Sequence, residues 1–214
     1  MSKSLAELRH DYALGALCEA DVDPDPIKQF QRWLQTAVAA RLPEPNAMTL
    51  ATTDRTGRPS ARVVLLKECD ADGFVFFTNY RSAKGRQLQQ NPQAALVFLW
   101  LELERQVRVE GVVEQIAAAE SAAYFETRPR DSRLGALASH QSQVVANRDI
   151  MDQRYQQLAT QYSEGPIPMP EQWGGYRLKP DLLEFWQGRH GRMHDRLRYR
   201  AQPDGGWLLQ RLEP

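Results

Sequence analysis

The stretch MTLATTDRTGRPSARVVLLKECDADGFVFFTN (48–79) reads as three short β-runs separated by two turns. MTLATT (48–53) leads into DRTGRP, whose Asp, Gly and Pro favour a turn. SARVVLLKE (60–68) follows, then ADG at Ala71 to Gly73, then GFVFFTN (73–79). Runs of this kind predict an antiparallel meander.

Downstream, SAKGRQLQQN (82–91) predicts a helical interval ending at Pro92, and QAALVFLW (93–100) and RQVRVEGVVEQI (105–116) predict two more strands. Val107 and Val109 alternate with Gln106, Arg108 and Glu110, the pattern of a half-exposed sheet. AAAESAAYFETR (117–128) and NRDIMDQRYQQLATQY (147–162) predict two helices, and GPIPMP (165–170) a rigid loop. Strands resume at WGGYRL (173–178), LLEFWQG (182–188), RMHDRLRYR (192–200) and GWLLQRL (206–212). Upstream, DPDP (23–26) is a helix start, with Asp25 as N-cap and Pro26 at the first helical position. Ile27, Phe30, Leu34, Ala37 and Val38 continue it at helical spacing. At least seven strands, interrupted by helices but without regular βαβ alternation, predict a mainly β (α+β) fold with peripheral helices and a closed antiparallel barrel. Without a repeat or linker, the expectation is a single domain over 1–214, with 1–20 as a mobile N-terminal segment and 173–214 completing the active site.

Hydrophobic residues make up 42% and charged residues 25% of the 214 residues, as in ordinary soluble proteins. Basic and acidic residues balance at 27 each, which argues against nucleic acid as a partner. The two cysteines, Cys18 and Cys69, show no metal-ligand spacing, so no metal site is expected. The polar N-terminus and the lack of a long apolar run predict a cytoplasmic protein with no membrane partner.

Four constellations could carry chemistry. Read as a strand, WQGRHGRMHDR (186–196) puts Arg192, His194 and Arg196 on one face. That face suits an anion or a redox-active ring, or is simply a solvated cationic surface. Arg62 and Lys67 bracket an apolar run; regular strand geometry places them on opposite faces, unless one lies past the strand end. They serve different anions or snorkel from a core strand. Thr78 to Lys84 runs from a strand into a helix start, a weak phosphate-binding signal. Tyr124 and Arg128 lie four apart, and with Ser132 supply phenol, guanidinium and hydroxyl, the donor set of a phosphate monoester site. No GxGxxG, P-loop or GxSxG motif occurs, and His10, His140, His190 and His194 form no metal pattern.

The ordered set LRHDY (8–12), RVVLLK (62–67), FFTN (76–79), LERQVRVEG (103–111), YFETRPRDS (124–132), Gln141-Ser142, WGGYRL and FWQGRHGRMHDR (185–196) resembles the pyridoxine (pyridoxamine) 5′-phosphate oxidase family. The resemblance implies an FMN-binding split β-barrel, a homodimer with FMN at the interface. It implies oxidation of pyridoxine 5′-phosphate or pyridoxamine 5′-phosphate to pyridoxal 5′-phosphate, with O2 as acceptor and release of H2O2. By motif match, Arg62, Lys84, Phe77, Thr78, Gln106, Gln141, Ser142, Trp186 and Arg196 belong to the flavin site, with Lys67 shared between cofactor and substrate. Lys67, Tyr124, Arg128 and Ser132 take the substrate phosphate; Arg192 and His194, the catalytic pair, lie over its ring; Arg9 and Tyr12 form an N-terminal flap. One departure is Ala83, where the family usually carries Arg in Ser-Arg-Lys. Competing readings are a split-barrel FMN oxidoreductase of other specificity and a non-catalytic carrier of FMN or pyridoxal phosphate.

Overall fold

Helix α1 (Pro26–Ala39) begins where DPDP signals it: the Asp25 side chain accepts from the backbone N–H groups of Ile27 and Lys28, and Pro26 opens the first turn. Its buried face carries Ile27, Phe30, Trp33 and Ala37, while Val38 turns to solvent. The computed structural model describes residues 4–8 and 11–214.

Nine strands follow in chain order: β1 (Ala47–Thr53), β2 (Pro59–Leu65), β3 (Glu68–Asp70), β4 (Gly73–Asn79), β5 (Gln93–Trp100), β6 (Arg105–Gln115), β7 (Trp173–Gln187), β8 (Asp195–Ala201) and β9 (Trp207–Leu212). Four further helices are α2 (Ala83–Gln90), α3 (Ala118–Thr127), α4 (Arg130–Ala138) and α5 (Arg148–Gln161). The strand path runs β2-β1-β5-β6-β7-β4-β3, with β8 on β7 and β9 on β8. The path ends at β2 and β3, so the sheet is not closed: the closed barrel read from the strand pattern gives way to the split barrel that the resemblance implies. Among the described residues, no helix is long and apolar enough to cross a membrane.

The sequence reading needs four corrections. SARVVLLKE is not one strand: β2 stops at Leu65 and β3 starts at Glu68, which leaves Lys67 past the strand end with its N–H donating to Val75 O at 2.9 Å. WGGYRL and LLEFWQG are one strand, β7, not two. RDSRLGALA forms α4, so three helices occupy 117–162 rather than two. Finally, β8 begins only at Asp195. Arg192 closes a 3-10 turn (His190–Arg192) in which Gly191 and Arg192 have φ of 65° and 63°. A left-handed pair cannot lie in an extended strand, so Arg192, His194 and Arg196 do not share a strand face.

The chain forms two compact units. One comprises the described part of Met1–Leu50 with Ala95–Gly111 and Pro180–Pro214. Its core holds Phe30, Phe98, Trp100, Phe185 and Tyr199, with Phe30 and Phe98 ring centroids 4.7 Å apart. β8 pairs antiparallel with β7 here, with Trp186 opposite Arg196 and Glu184 opposite Arg198. The other unit comprises Ala51–Ala94 and Val112–Lys179. Here β4 pairs antiparallel with β7 from Phe74↔Leu178 to Asn79↔Trp173. Phe125, Leu134, Ile167 and Trp173 form a cluster under α3 and α4. Helix α2 starts against the turn before it: a Cβ on Gly85 would lie 2.2 Å from the Tyr80 carbonyl oxygen, so a larger residue would displace the helix that carries Lys84.

Candidate functional site

The second unit contains a cavity of about 620 Å³ built by β4, α2, α3, α4 and the loop after α4. β4 contributes Phe77, Thr78 and Asn79, the first turn of α2 contributes Lys84, and α3 contributes Tyr124. Arg128, Ser132 and Gln141 line it too, as does Lys67 from the link between β2 and β3. Val63, Val64 and Leu65 supply an apolar wall. Lys67, Lys84 and Arg128 are thus gathered with the hydroxyls of Thr78, Tyr124 and Ser132, and among the described residues no carboxylate lines the cavity. Uncompensated cations beside hydroxyl donors make an anion site.

Three rings stiffen this wall. Phe77 stacks on Tyr124 at 3.9 Å and on Trp173 at 5.3 Å. Helix α3 ends at Thr127, and Arg128 caps it in an extended conformation. From there its guanidinium lies 4.7 Å over the Trp173 ring, a cation–π contact that fixes its plane. Arg128 Nη1 is buried without a hydrogen-bond partner among the described residues. A buried guanidinium nitrogen left unpaired is costly, and an anionic oxygen in the cavity would satisfy it.

Lys84 Nζ donates to Thr78 Oγ1 and to Gln141 Oε1, both at 3.2 Å, and Thr78 Oγ1 donates to Gln141 Oε1 at 3.0 Å. Arg62 sits beside this group, bonded to Thr52 and Gln87, and does not line the cavity itself. Burial and the nearby Arg62 charge both push the Lys84 ammonium below the usual lysine range. A lysine with a depressed folded value binds fewer protons than the unfolded chain between the two values, so the ligand-free protein gains stability as pH rises there. Lys84→Met is therefore expected to raise the urea midpoint of the ligand-free protein at pH 7.5. That advantage should shrink as pH approaches the ordinary lysine value of 10.5. A variant less stable at neutral pH, with no pH trend, would contradict the electrostatic account.

Within the first unit, Tyr12, Trp186 and His194 come together. Tyr12 lies edge-on to Trp186 at 5.5 Å and to His194 at 5.6 Å, and Trp186 and His194 are 4.7 Å apart. The segment behind Tyr12 is tied down by carboxylates: Glu104 accepts from Ala13 N–H (2.8 Å) and Leu14 N–H (2.9 Å), and Asp195 from Leu17 N–H (3.0 Å). Burial alone would raise the Asp195 carboxyl; the Leu17 N–H, Arg211 and Arg189 outweigh it and hold the group below its usual range. The Arg189 N–H donates to His194 Nδ1 at 3.1 Å, which leaves the imidazole proton on Nε2 when the ring is neutral.

Arg196 lies opposite Trp186, and its guanidinium is held by both carboxylate oxygens of Glu184, at 2.8 and 3.1 Å, and by Glu213 O at 2.9 Å. Glu184 is only 4% exposed and also receives Arg108 at 3.3 Å. Arg192 is exposed at the 3-10 turn, and Gln106 is half-buried on β6. Ser142, exposed with φ of 67°, lines a separate groove along α5 rather than the cavity. Arg9 lies outside the described residues. Sequence reasoning missed Trp173 as the floor of the stack, and missed Glu184, Gln87 and Thr52 as partners of the arginines. For the first, an available signal was the aromatic cluster of Phe77, Tyr124 and Trp173.

Sheet order and site together define a split-barrel protein with an anion-binding cavity. One solved relative by fold is a pyridoxamine 5′-phosphate oxidase-related, FMN-binding protein from Nostoc punctiforme (TM-score 0.70, 19% identity, covering 86% of this chain and 97% of that one). Another is PhzG from Burkholderia lata, solved with tetrahydrophenazine-1-carboxylic acid (TM-score 0.88, 32% identity, 94% and 99% covered). The pyridoxamine 5′-phosphate oxidase family description matches residues 34–162, and the C-terminal dimerisation region of pyridoxine 5′-phosphate oxidase matches 173–214. Pyridoxine/pyridoxamine 5′-phosphate oxidases of Cupriavidus taiwanensis (60% identity, 98% of this chain and 99% of the relative) and Trichormus variabilis (54%, all of both chains) align nearly end to end. The chain belongs to the pyridoxine/pyridoxamine 5′-phosphate oxidase family and is an oxidoreductase.

Proposed function

We propose that this protein oxidises pyridoxine 5′-phosphate and pyridoxamine 5′-phosphate to pyridoxal 5′-phosphate, with FMN as cofactor and O2 as acceptor. The alcohol gives aldehyde and H2O2; the amine also consumes water and releases ammonia. The observation that carries this reading is the carboxylate-free cavity in which Lys67, Arg128, Tyr124 and Ser132 converge, with Arg128 Nη1 buried and unpaired. A phosphate monoester matches that donor set in charge and in number of acceptors.

The residues present also fit a flavin with a phosphate tail. Arg62, Lys84, Thr78 and Gln141 form a second cationic and hydrogen-bonding group. Ala83 withdraws one family cation from it. Bound FMN would accept the hydride from the substrate carbon. The protein's share is orientation: anchoring the phosphate through Lys67, Arg128 and Ser132 converts binding energy into placement of the reacting carbon. Arg192 stabilises charge at the reacting substituent, since an arginine stays protonated and makes a poor base. His194, with its proton on Nε2, donates a hydrogen bond to the substrate's ring oxygen. Gln106, Ser142, Trp186 and Arg196 are assigned to the flavin, and Arg9 and Tyr12 to a cover over the substrate. The match of 173–214 to a dimerisation region supports a homodimer.

The test is anaerobic. The FMN-loaded protein is mixed with pyridoxine 5′-phosphate and its visible flavin absorbance followed. Bleaching, then recovery in air with stoichiometric pyridoxal 5′-phosphate, is expected. A flavin that stays oxidised with both phosphorylated substrates sinks the proposal; bleaching only by tetrahydrophenazine-1-carboxylic acid, the ligand of the PhzG structure, would point to a different substrate class.

A further inference from the structure

We infer that Gln87 and Thr52 are positioning residues that hold the Arg62 guanidinium where it meets the cofactor phosphate; the inference rests on the FMN reading above and deepens it. The geometry is a closed triangle of hydrogen bonds. Arg62 Nη1 donates to Thr52 Oγ1 at 2.6 Å, Arg62 Nη2 to Gln87 Oε1 at 3.1 Å, and Thr52 Oγ1 to Gln87 Oε1 at 2.7 Å. The amide is fixed at its other end, where Gln87 Nε2 donates to Ser60 Oγ at 3.0 Å. Flipping the amide would set an NH2 group against the guanidinium and lose the Arg62 bond. Thr52 is 1% exposed, so the triangle has a rigid floor on β1.

The Thr52 hydroxyl and the Gln87 amide are both neutral acceptors, and that choice matters. Arg196, by contrast, is gripped by the carboxylate of Glu184, which cancels its charge locally. An amide and a hydroxyl fix the plane of Arg62 and leave its charge to act outward. The charge reaches Lys84, three residues before Gln87 on α2 and therefore on the same helix face. Two cations held side by side repel each other until a dianion arrives. Gln87 and Thr52 set the distance at which that happens.

The experiment titrates flavin-free protein with FMN and with riboflavin, which lacks the phosphate, and follows flavin fluorescence. Gln87→Glu is isosteric and places a carboxylate on Arg62. FMN affinity is expected to fall at least about tenfold and riboflavin affinity to change less than about twofold, in line with the strength of charged hydrogen bonds. Thr52→Val should show a smaller loss of the same kind, and Thr52→Ser, which keeps the hydroxyl, should restore wild-type FMN affinity. Thr52→Val and Thr52→Ser decide the matter if Gln87→Glu fails to fold. Equal losses for both flavins, or none for either, would overturn the positioning role. A wild-type protein that binds neither flavin would overturn the FMN reading and this inference together, a result that equal losses cannot mimic.

Discussion

Arg128→Ala is expected to lower kcat/KM for pyridoxine 5′-phosphate by about 100-fold or more, and to change any turnover of unphosphorylated pyridoxine far less. The magnitude follows from two charge-assisted hydrogen bonds, each typically worth about 1.5–3 kcal/mol, set against what Lys67 and Ser132 retain. Both parameters should move. The phosphate is remote from the reacting carbon, so its binding energy fixes orientation as well as occupancy, and kcat falls while KM rises. Arg128→Lys should recover only part of the loss, because an ammonium cannot reproduce the planar fork or the stacking on Trp173. Steady-state kinetics with the two substrates, on protein of confirmed FMN content, settle the point. A loss equal for both substrates would mean that Arg128 supports the Phe77–Tyr124–Trp173 stack and does not grip the phosphate.

The strands that open the chain's β-region were legible because their signals are local, but their pairing was not: β2 lies beside β1 and β4 beside β7, so the expected meander does not form. Turn residues at 54–59 and 71–73 separate runs of apolar and β-branched residues, and β1 alternates buried and half-buried positions along its length. The same holds for α1, whose start depends on residues two and three apart. Helix α4 was not legible in the same way. Arg128-Pro-Arg-Asp-Ser132 carries turn chemistry, which masks the helical spacing of Leu134, Leu137 and Ala138 just beyond. The start of β8 was misjudged because alternation alone cannot register a left-handed residue, and Arg192 shows no sequence sign of being one. Of the candidate site, residue types announced the cations and hydroxyls. What they could not announce is which acceptor each arginine takes. Glu184 reaches Arg196 diagonally across the β7–β8 register, and Gln87 reaches Arg62 from a separate helix. Such pairings depend on long-range registry that no local pattern encodes.

Arg192→Gly is expected to cost about 100-fold in kcat without lowering stability. Arg192 adopts φ of 63° directly after Gly191 at 65°, and a left-handed conformation costs an L-residue roughly 1–2 kcal/mol. Its side chain is exposed and fills no core position, so packing does not repay that strain. A strained residue held at a loop beside His194 fits a side chain retained for chemistry. Glycine removes the strain and the guanidinium together. Its thermal midpoint should equal or exceed that of wild type, the gain in the folded state being partly offset by a more flexible unfolded chain. Arg192→Ala removes the guanidinium but keeps the strained backbone, so it should be equally slow and less stable than Arg192→Gly by up to about 1 kcal/mol. The kinetic loss should fall on kcat more than on KM, since losing one preorganised donor at a site of developing charge typically costs 10²–10³ in the chemical step. Single-turnover flavin reduction with the three proteins separates these claims. A loss confined to KM would show that Arg192 binds substrate without stabilising its reaction.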